Sequence, residues 1–89
     1  MRAVITVIGK DTVGILARIS AQCASHAINI IEVTQSVLQD MFVMVMLTDI
    51  SKMDVPFALL ADEMSALGTE MGLSVHTMHE DIFNAMHHI

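Results

Sequence analysis

The stretch INIIEVTQSVLQDMFVMVMLTDI, residues 28–50, decides how this chain folds. It holds two apolar, β-branched runs, Ile28 to Leu38 and Met41 to Ile50, separated only by Gln39-Asp40. Two residues between such runs read as a tight hairpin turn joining antiparallel strands. From Met41 to Leu47 the second run is apolar at both parities, the pattern of a strand covered on both faces. The first run carries Glu32, Thr34, Gln35 and Ser36 among its apolar residues and suits a sheet edge.

On each side of the hairpin the sequence reads as one helix and one strand. Upstream, Ala3 to Ile8 is a strand ending at Gly9. Asp11 or Thr12 is expected to cap a helix whose first turn contains Gly14. Ile15, Leu16, Ile19 and Cys23 form its apolar side, with Arg18, Gln22 and Ser25 opposite, and its end is expected near Ser25 to Ala27. Downstream, Asp54 is expected to cap a second helix with Pro56 in its first turn. Phe57, Leu60, Met64, Leu67 and Met71 then recur at steps of three and four, the strongest periodic signal in the chain. Gly72 suits the left-handed residue that ends such a helix. A polar strand follows from Leu73 to His79, and Asp81 is expected to cap a short last helix with Ile82, Phe83, Met86 and Ile89 on its apolar side.

This order predicts an α/β sandwich of the ferredoxin-like βαββαβ type: a four-stranded antiparallel sheet, with strands one and three central and two helices on one face. Residues 1–80 make the core of a single domain and 81–89 a helical tail. Two helices cover one sheet face only. Yet Val4 and Ile8 alternate with Ile5 and Val7, and Phe42, Met44 and Met46 alternate with Val43, Val45 and Leu47. Whichever set faces the helices, the other leaves an apolar surface, with Met44 or Met46 expected there if theirs is the open set. A second copy is expected to cover that surface, making a homodimer.

Composition sets the outer limits. The chain has 89 residues, 54% of them hydrophobic, and a formal net charge of -6. The charge argues against nucleic acid and anionic membrane as partners. No apolar run approaches the ~18 residues needed to cross a bilayer. Met1 to Ile8 is too short, and too interrupted by Thr6, for a signal peptide. The lone cysteine, Cys23, allows no internal disulfide, and a cytoplasmic location is expected.

The connection Gly9-Lys10-Asp11-Thr12-Val13-Gly14 carries the clearest chemical signal. A strand ends, the chain turns and a helix begins, and free N–H groups there attract a carboxylate or phosphate. Asp11 could accept from an ammonium group, and Lys10 could face an anion. The spacing is not that of a P-loop or dinucleotide turn, and no cofactor is expected.

A strand ending at Gly9, then Asp11-Thr12-Val13-Gly14-Ile15-Leu16-Ala17, then Asn29-Ile30 opening the second strand resembles the ACT domain. The tail Ile82-Phe83-Asn84-Ala85-Met86-His87 is similar to the ending of small stand-alone bacterial ACT proteins. The resemblance implies a non-catalytic regulatory module that binds an amino acid between two subunits and acts on a partner enzyme or regulator. It places the ligand against Asp11 and Gly14 of one subunit and Asn29 and Ile30 of its neighbour, and Lys10 and Val13 of the same loop are expected to line the site with them. The chain departs from common members of the family in having Gly9, Val13 and Asp11 where His, Pro and Asn often stand.

Two other classes share features with this sequence. An acylphosphatase-like hydrolase would use Gly9 to Gly14 as a phosphate cradle, Arg18 as an anion clamp and Asn29 to hold water. Asp11 would repel the phosphate, however, and Asn29 stands at the wrong place in the order. A metal module would draw on His76, His79, His87 and His88. On a strand, His76 and His79 fall on opposite faces, so they cannot hold one ion as neighbours. The nine methionines suit adaptable packing, and Cys23, on an apolar stripe, suits the core.

Overall fold

The computed structural model describes residues 1–10 and 12–86 of the chain. Strand β1 (Arg2–Lys10) leads to helix α1 (Ile15–Ser25), then to β2 (Asn29–Leu38) and β3 (Met41–Asp49). Helix α2 (Phe57–Met71), strand β4 (Leu73–His79) and the short α3 (Glu80–Met86) complete it. The sheet order is β2-β3-β1-β4, and every neighbouring pair is antiparallel. This is the expected ferredoxin-like arrangement, with the two apolar strands central and the two polar ones at the edges. Gln39-Asp40 makes the expected hairpin turn, Gln39 taking a left-handed φ of 59°.

One sheet face is closed by α1 and α2. Ala3, Ile5 and Val7 of β1 and Phe42, Met44 and Met46 of β3 are buried there with Ile15, Ile19 and Cys23 of α1 and Leu60 and Met64 of α2. Each fully buried side chain of this size contributes about 1.5–3 kcal/mol. Thr48 is the buried polar member, and its hydroxyl donates to the Ala3 carbonyl at 2.9 Å. Leu67 is only half-buried, and the buried Gly68 packs α2 directly against β4. A Cβ at Gly68 would lie 2.5 Å from Val75 Cγ2 and 2.9 Å from the Leu73 carbonyl oxygen.

Met44 and Met46 therefore line the core, and neither lies on the open face. The ladder assigns the outer face to Val4, Thr6 and Ile8 of β1, Val43, Val45 and Leu47 of β3 and Met78 of β4. It is as apolar along the central strands as the sequence implies. Helix α3 packs against β1 and β4, and the Arg2 guanidinium donates twice to Glu80, at 3.0 and 2.6 Å. The tail thus shields the Arg2–Val4 end of this face, and Val4 is buried although Ile8 is exposed.

Three expected caps differ from what the structure holds. Gly14 is not in the first turn of α1 but is its N-cap residue, and among the described residues no side chain caps the helix. The N-cap of α2 is Pro56, with Asp54 drawn away to a histidine. Asp81 lies inside the first turn of α3, which begins one residue earlier. Of the apolar side expected for α3, Ile82 and Met86 are exposed, while Ile89, like His87 and His88, lies outside the described residues.

Candidate functional site

The residues singled out in the sequence fall into two groups at opposite ends of the sheet. The first lies at the β1–α1 connection. Gly14 has φ 86° and ψ 12°, and its carbonyl accepts the first helical hydrogen bond, from Arg18 N–H at 3.0 Å. A Cβ there would meet nothing within 4 Å. Glycine is therefore required by the backbone, which L side chains avoid at this φ, and not by crowding. With no side-chain cap, the N–H groups opening α1 keep their attraction for an anion. Lys10 and Val13 flank this point, both exposed, Val13 at 97%. Asp11 lies outside the described residues.

The second group is Asn29 and Ile30. Asn29 pairs with Asp49, which pairs with Arg2, whereas Lys10 pairs with Met41, which pairs with Leu38. Strands β1 and β2 are thus parallel, so Asn29 opens β2 at the end of the sheet where β1 begins. Nine steps along a strand span about 30 Å. One copy of the chain cannot bring Asn29 to the β1–α1 connection. Ile30 is half-buried against the core, leaving its main chain as its polar resource.

Around Asn29 the structure adds residues that the sequence did not single out. A recess of about 250 Å³ is lined by Ala27, Asn29, Asp49, Ser51 and Lys52. The Ser51 hydroxyl and N–H both donate to Asp49 Oδ1, at 2.5 and 2.9 Å, and hold the Asp49 carboxyl below its usual range. The positive charges of the Met1 ammonium, which donates to the Ser51 hydroxyl at 3.1 Å, and of Lys52 act in the same direction. Ala27 takes a left-handed φ of 58°, unusual for a residue with a side chain, and so turns the chain into β2.

The rims of this recess are tied together by His26, the C-cap residue of α1. Its Nδ1 lies 2.9 Å from Asp54 Oδ1, and its Nε2 lies 2.7 Å from Glu63 Oε2 of α2. Asp54 N–H also donates to the His26 carbonyl at 3.3 Å. Glu63 first, then Asp54, raises the imidazole pKa above its ordinary value. With a carboxylate on each ring nitrogen, the favoured form is the imidazolium, which donates to both. His26 follows directly on Ser25 at the end of α1, but its partners are 28 and 37 residues away and no local spacing announces them.

Other candidates are drawn elsewhere. Arg18 donates to Glu70 of α2 at 3.1 Å, a helix-to-helix link. Burial pushes the Cys23 thiol up to about 11, which suits a core residue and not a nucleophile. His76 accompanies Thr6 on the outer face, where it lies 3.1 Å from the Ser74 hydroxyl. His79, on the helix face, stacks on Phe57 with ring centroids 4.0 Å apart. A larger recess of about 670 Å³ is lined by Arg2, His79, Glu80 and Asp81, and its Arg2 and Glu80 are paired with each other. The Asn29 recess is smaller, yet its Asn29 amide and Lys52 ammonium make no hydrogen bond among the described residues.

Comparison with known proteins gives a consistent result. Residues 2–78 match the model of the ACT domain. The chain is 48% identical over 88 residues to a UPF0237 protein of Methanopyrus kandleri, covering 99% of this chain and 98% of that one. It superposes on an ACT domain protein from Streptococcus pneumoniae with a TM-score of 0.82 and 34% identity, covering 98% of both chains. A formyltetrahydrofolate deformylase from Pseudomonas putida shares the fold at a TM-score of 0.79 and 8% identity, over 91% of this chain but 29% of that one. No helix among the described residues is long and apolar enough to cross a membrane.

Proposed function

This chain belongs to the ACT domain family, and on that premise we propose that it is a non-catalytic regulatory module binding an amino acid between two copies of itself. One observation carries the reading. The uncapped start of α1 and Asn29 stand about 30 Å apart along the strands of one copy, so only a second copy can unite them. Strand β2 is a sheet edge of ten residues, with Ile31, Val37 and Leu38 exposed. Two such edges meeting antiparallel across a two-fold axis put Asn29 of one copy at the Leu38 end of the other. That is the end where the second copy's β1–α1 connection lies. An exposed, partly apolar edge invites this pairing.

In such a pair Asn29 offers the ligand a donor and an acceptor. Lys10 and the N–H groups opening α1 of the other copy bring positive potential to the facing side of the ligand. A ligand that touches both copies favours the pair by its differential affinity for that state. A partner enzyme or regulator then reads the pair.

The test is complementation. Amino acids are titrated calorimetrically into the parent, Asn29→Ala and Val13→Asp. Val13 is almost fully exposed, so the substitution leaves the fold intact and puts a negative charge on the face of the loop that meets the ligand. Asn29→Ala should weaken binding by about 1–3 kcal/mol. Each variant alone should bind poorly, while an exchanged mixture of the two regains sites made from one intact Asn29 and one intact loop. A mixture no better than its parts would place the site within one copy and sink the shared-site reading.

A further inference from the structure

We infer that the recess beside Asn29 recognises the charged backbone of a free α-amino acid, with Asp49 receiving the ammonium group and Lys52 the carboxylate. This assigns two residues and rests on the amino-acid reading above. The argument starts from the composition of the recess. Its five lining residues include one carboxylate, one ammonium group and one amide, and Asn29 and Asp49 are direct cross-strand partners. A zwitterion needs one anion, one cation and a neutral group to fix its orientation, all at the reach of a small molecule. At about 250 Å³ the space falls below the usual ~300–1,000 Å³ of drug-sized sites and suits a ligand of few atoms.

The groups are also prepared for this role. Ser51 occupies only Oδ1 of Asp49, through its hydroxyl and its N–H. Oδ2 makes no hydrogen bond among the described residues and remains to accept from a ligand. The carboxyl is held ionised throughout the neutral range. Lys52 is near enough for its charge to act on Asp49, yet it forms no ion pair among the described residues. Both walls are fixed. Residues 27–29 and 49–52 are clamped together just outside the recess by the His26–Asp54 contact and the His26 carbonyl. Preorganised groups bind without having to be ordered first.

The recess at Arg2 and Glu80 differs, because those two charges are already joined to each other. The Asn29 recess keeps its charges of opposite sign available side by side. The second copy's loop then closes over the ligand's side chain, which leaves side-chain selectivity to Lys10, Val13 and their neighbours and backbone recognition to the Asn29 end.

The experiment pairs variants with blocked ligands. The twenty amino acids are titrated first, and the tightest binder is compared with its N-acetyl and carboxamide derivatives. Asp49→Asn keeps an acceptor for Ser51 and removes only the charge. Lys52→Met keeps the stem and removes the ammonium. The parent should prefer the free amino acid at least tenfold over either derivative. Asp49→Asn should lose the preference over the N-acetyl form, and Lys52→Met the preference over the carboxamide, both with unchanged melting temperature. Lys52→Arg should restore much of the second preference. If both variants keep the parent's affinity and preferences while Asn29→Ala loses binding, the assignment of Asp49 and Lys52 is wrong and the shared-site reading stands. If Asn29→Ala also binds normally, or the parent binds no amino acid, the functional reading itself fails and this assignment with it.

Discussion

His26 Nε2 sits 2.7 Å from Glu63 Oε2 and pins the end of α1 to the middle of α2, beside the Gln22–Glu63 hydrogen bond. Its other nitrogen holds Asp54, so one side chain joins three segments. Because those partners raise the imidazole pKa in the folded protein, its contribution to stability has a fixed sign with pH. The contribution is complete below the unfolded value near pH 6.5 and is lost as the pH rises through the raised folded value. Thermal melts of the parent should therefore show a decline on that alkaline side. His26→Gln, which cannot carry the charge, should flatten it. Equal slopes for the two proteins would show that His26 does not titrate as the geometry demands.

Gly14 and Gly68 are required for different reasons, and paired alanine variants separate them. Gly14→Ala has open space but a φ of 86°, so its cost is backbone strain of about 1–2 kcal/mol. Gly68→Ala keeps an ordinary helical backbone and drives a methyl group into Val75 and the Leu73 carbonyl, an overpacking cost of about 1–3 kcal/mol. Urea unfolding measures both. Trimming Val75 to Ala should rescue Gly68→Ala in part, while no neighbouring truncation should rescue Gly14→Ala.

Association through the β2 edge is expected to respond to charge on that edge. Sedimentation of the parent at micromolar concentration should give a dimer. Val37→Lys on the edge should shift it toward the 9.7 kDa monomer. Val45→Lys, on the outer sheet face where the sequence suggested a second copy, should on the β2-edge reading leave the dimer in place. The opposite pattern would move the interface to that face. Met44→Glu and Met46→Glu test neither surface, since both side chains are fully buried beneath the helices and a charge there should unfold the chain.

Cys23 provides a probe of opening. With its thiol fully buried and its pKa raised to about 11, alkylation at pH 8 should be at least about tenfold slower in the folded protein than in urea. Equal rates would mean that α1 does not stay closed over the sheet.

Much of the fold was legible because its signals are local. Alternation along Ala3 to Ile8 and Met41 to Ile50, the three-and-four spacing from Phe57 to Met71, and Gln39-Asp40 each act over a few residues. So does the left-handed Gly72, whose φ of 76° closes α2 as expected. The helix starts were less legible. Asp11, Thr12, Asp54 and Asp81 all have capping side chains, but a cap depends on which way the preceding strand delivers the chain. At Asp54 the competing partner, His26, is brought by tertiary packing.

Sequence alone determined that this chain forms a βαββαβ sandwich with a thoroughly apolar pair of central strands, because hydrophobic period and turn chemistry act on neighbours in the chain. It could not say which parity faces the helices. Both parities are apolar in β1 and β3, so only packing against Ile15, Ile19, Leu60 and Met64 placed Met44 and Met46 inside and Val43 and Val45 outside. Nor could it assemble the recess beside Asn29. Asp49 and Lys52 lie twenty and more residues further along, and it is the antiparallel register of β2 on β3 that carries them to Asn29. The same register, set by side chains that must all reach one core, holds Asn29 at the far end of the sheet from Gly14.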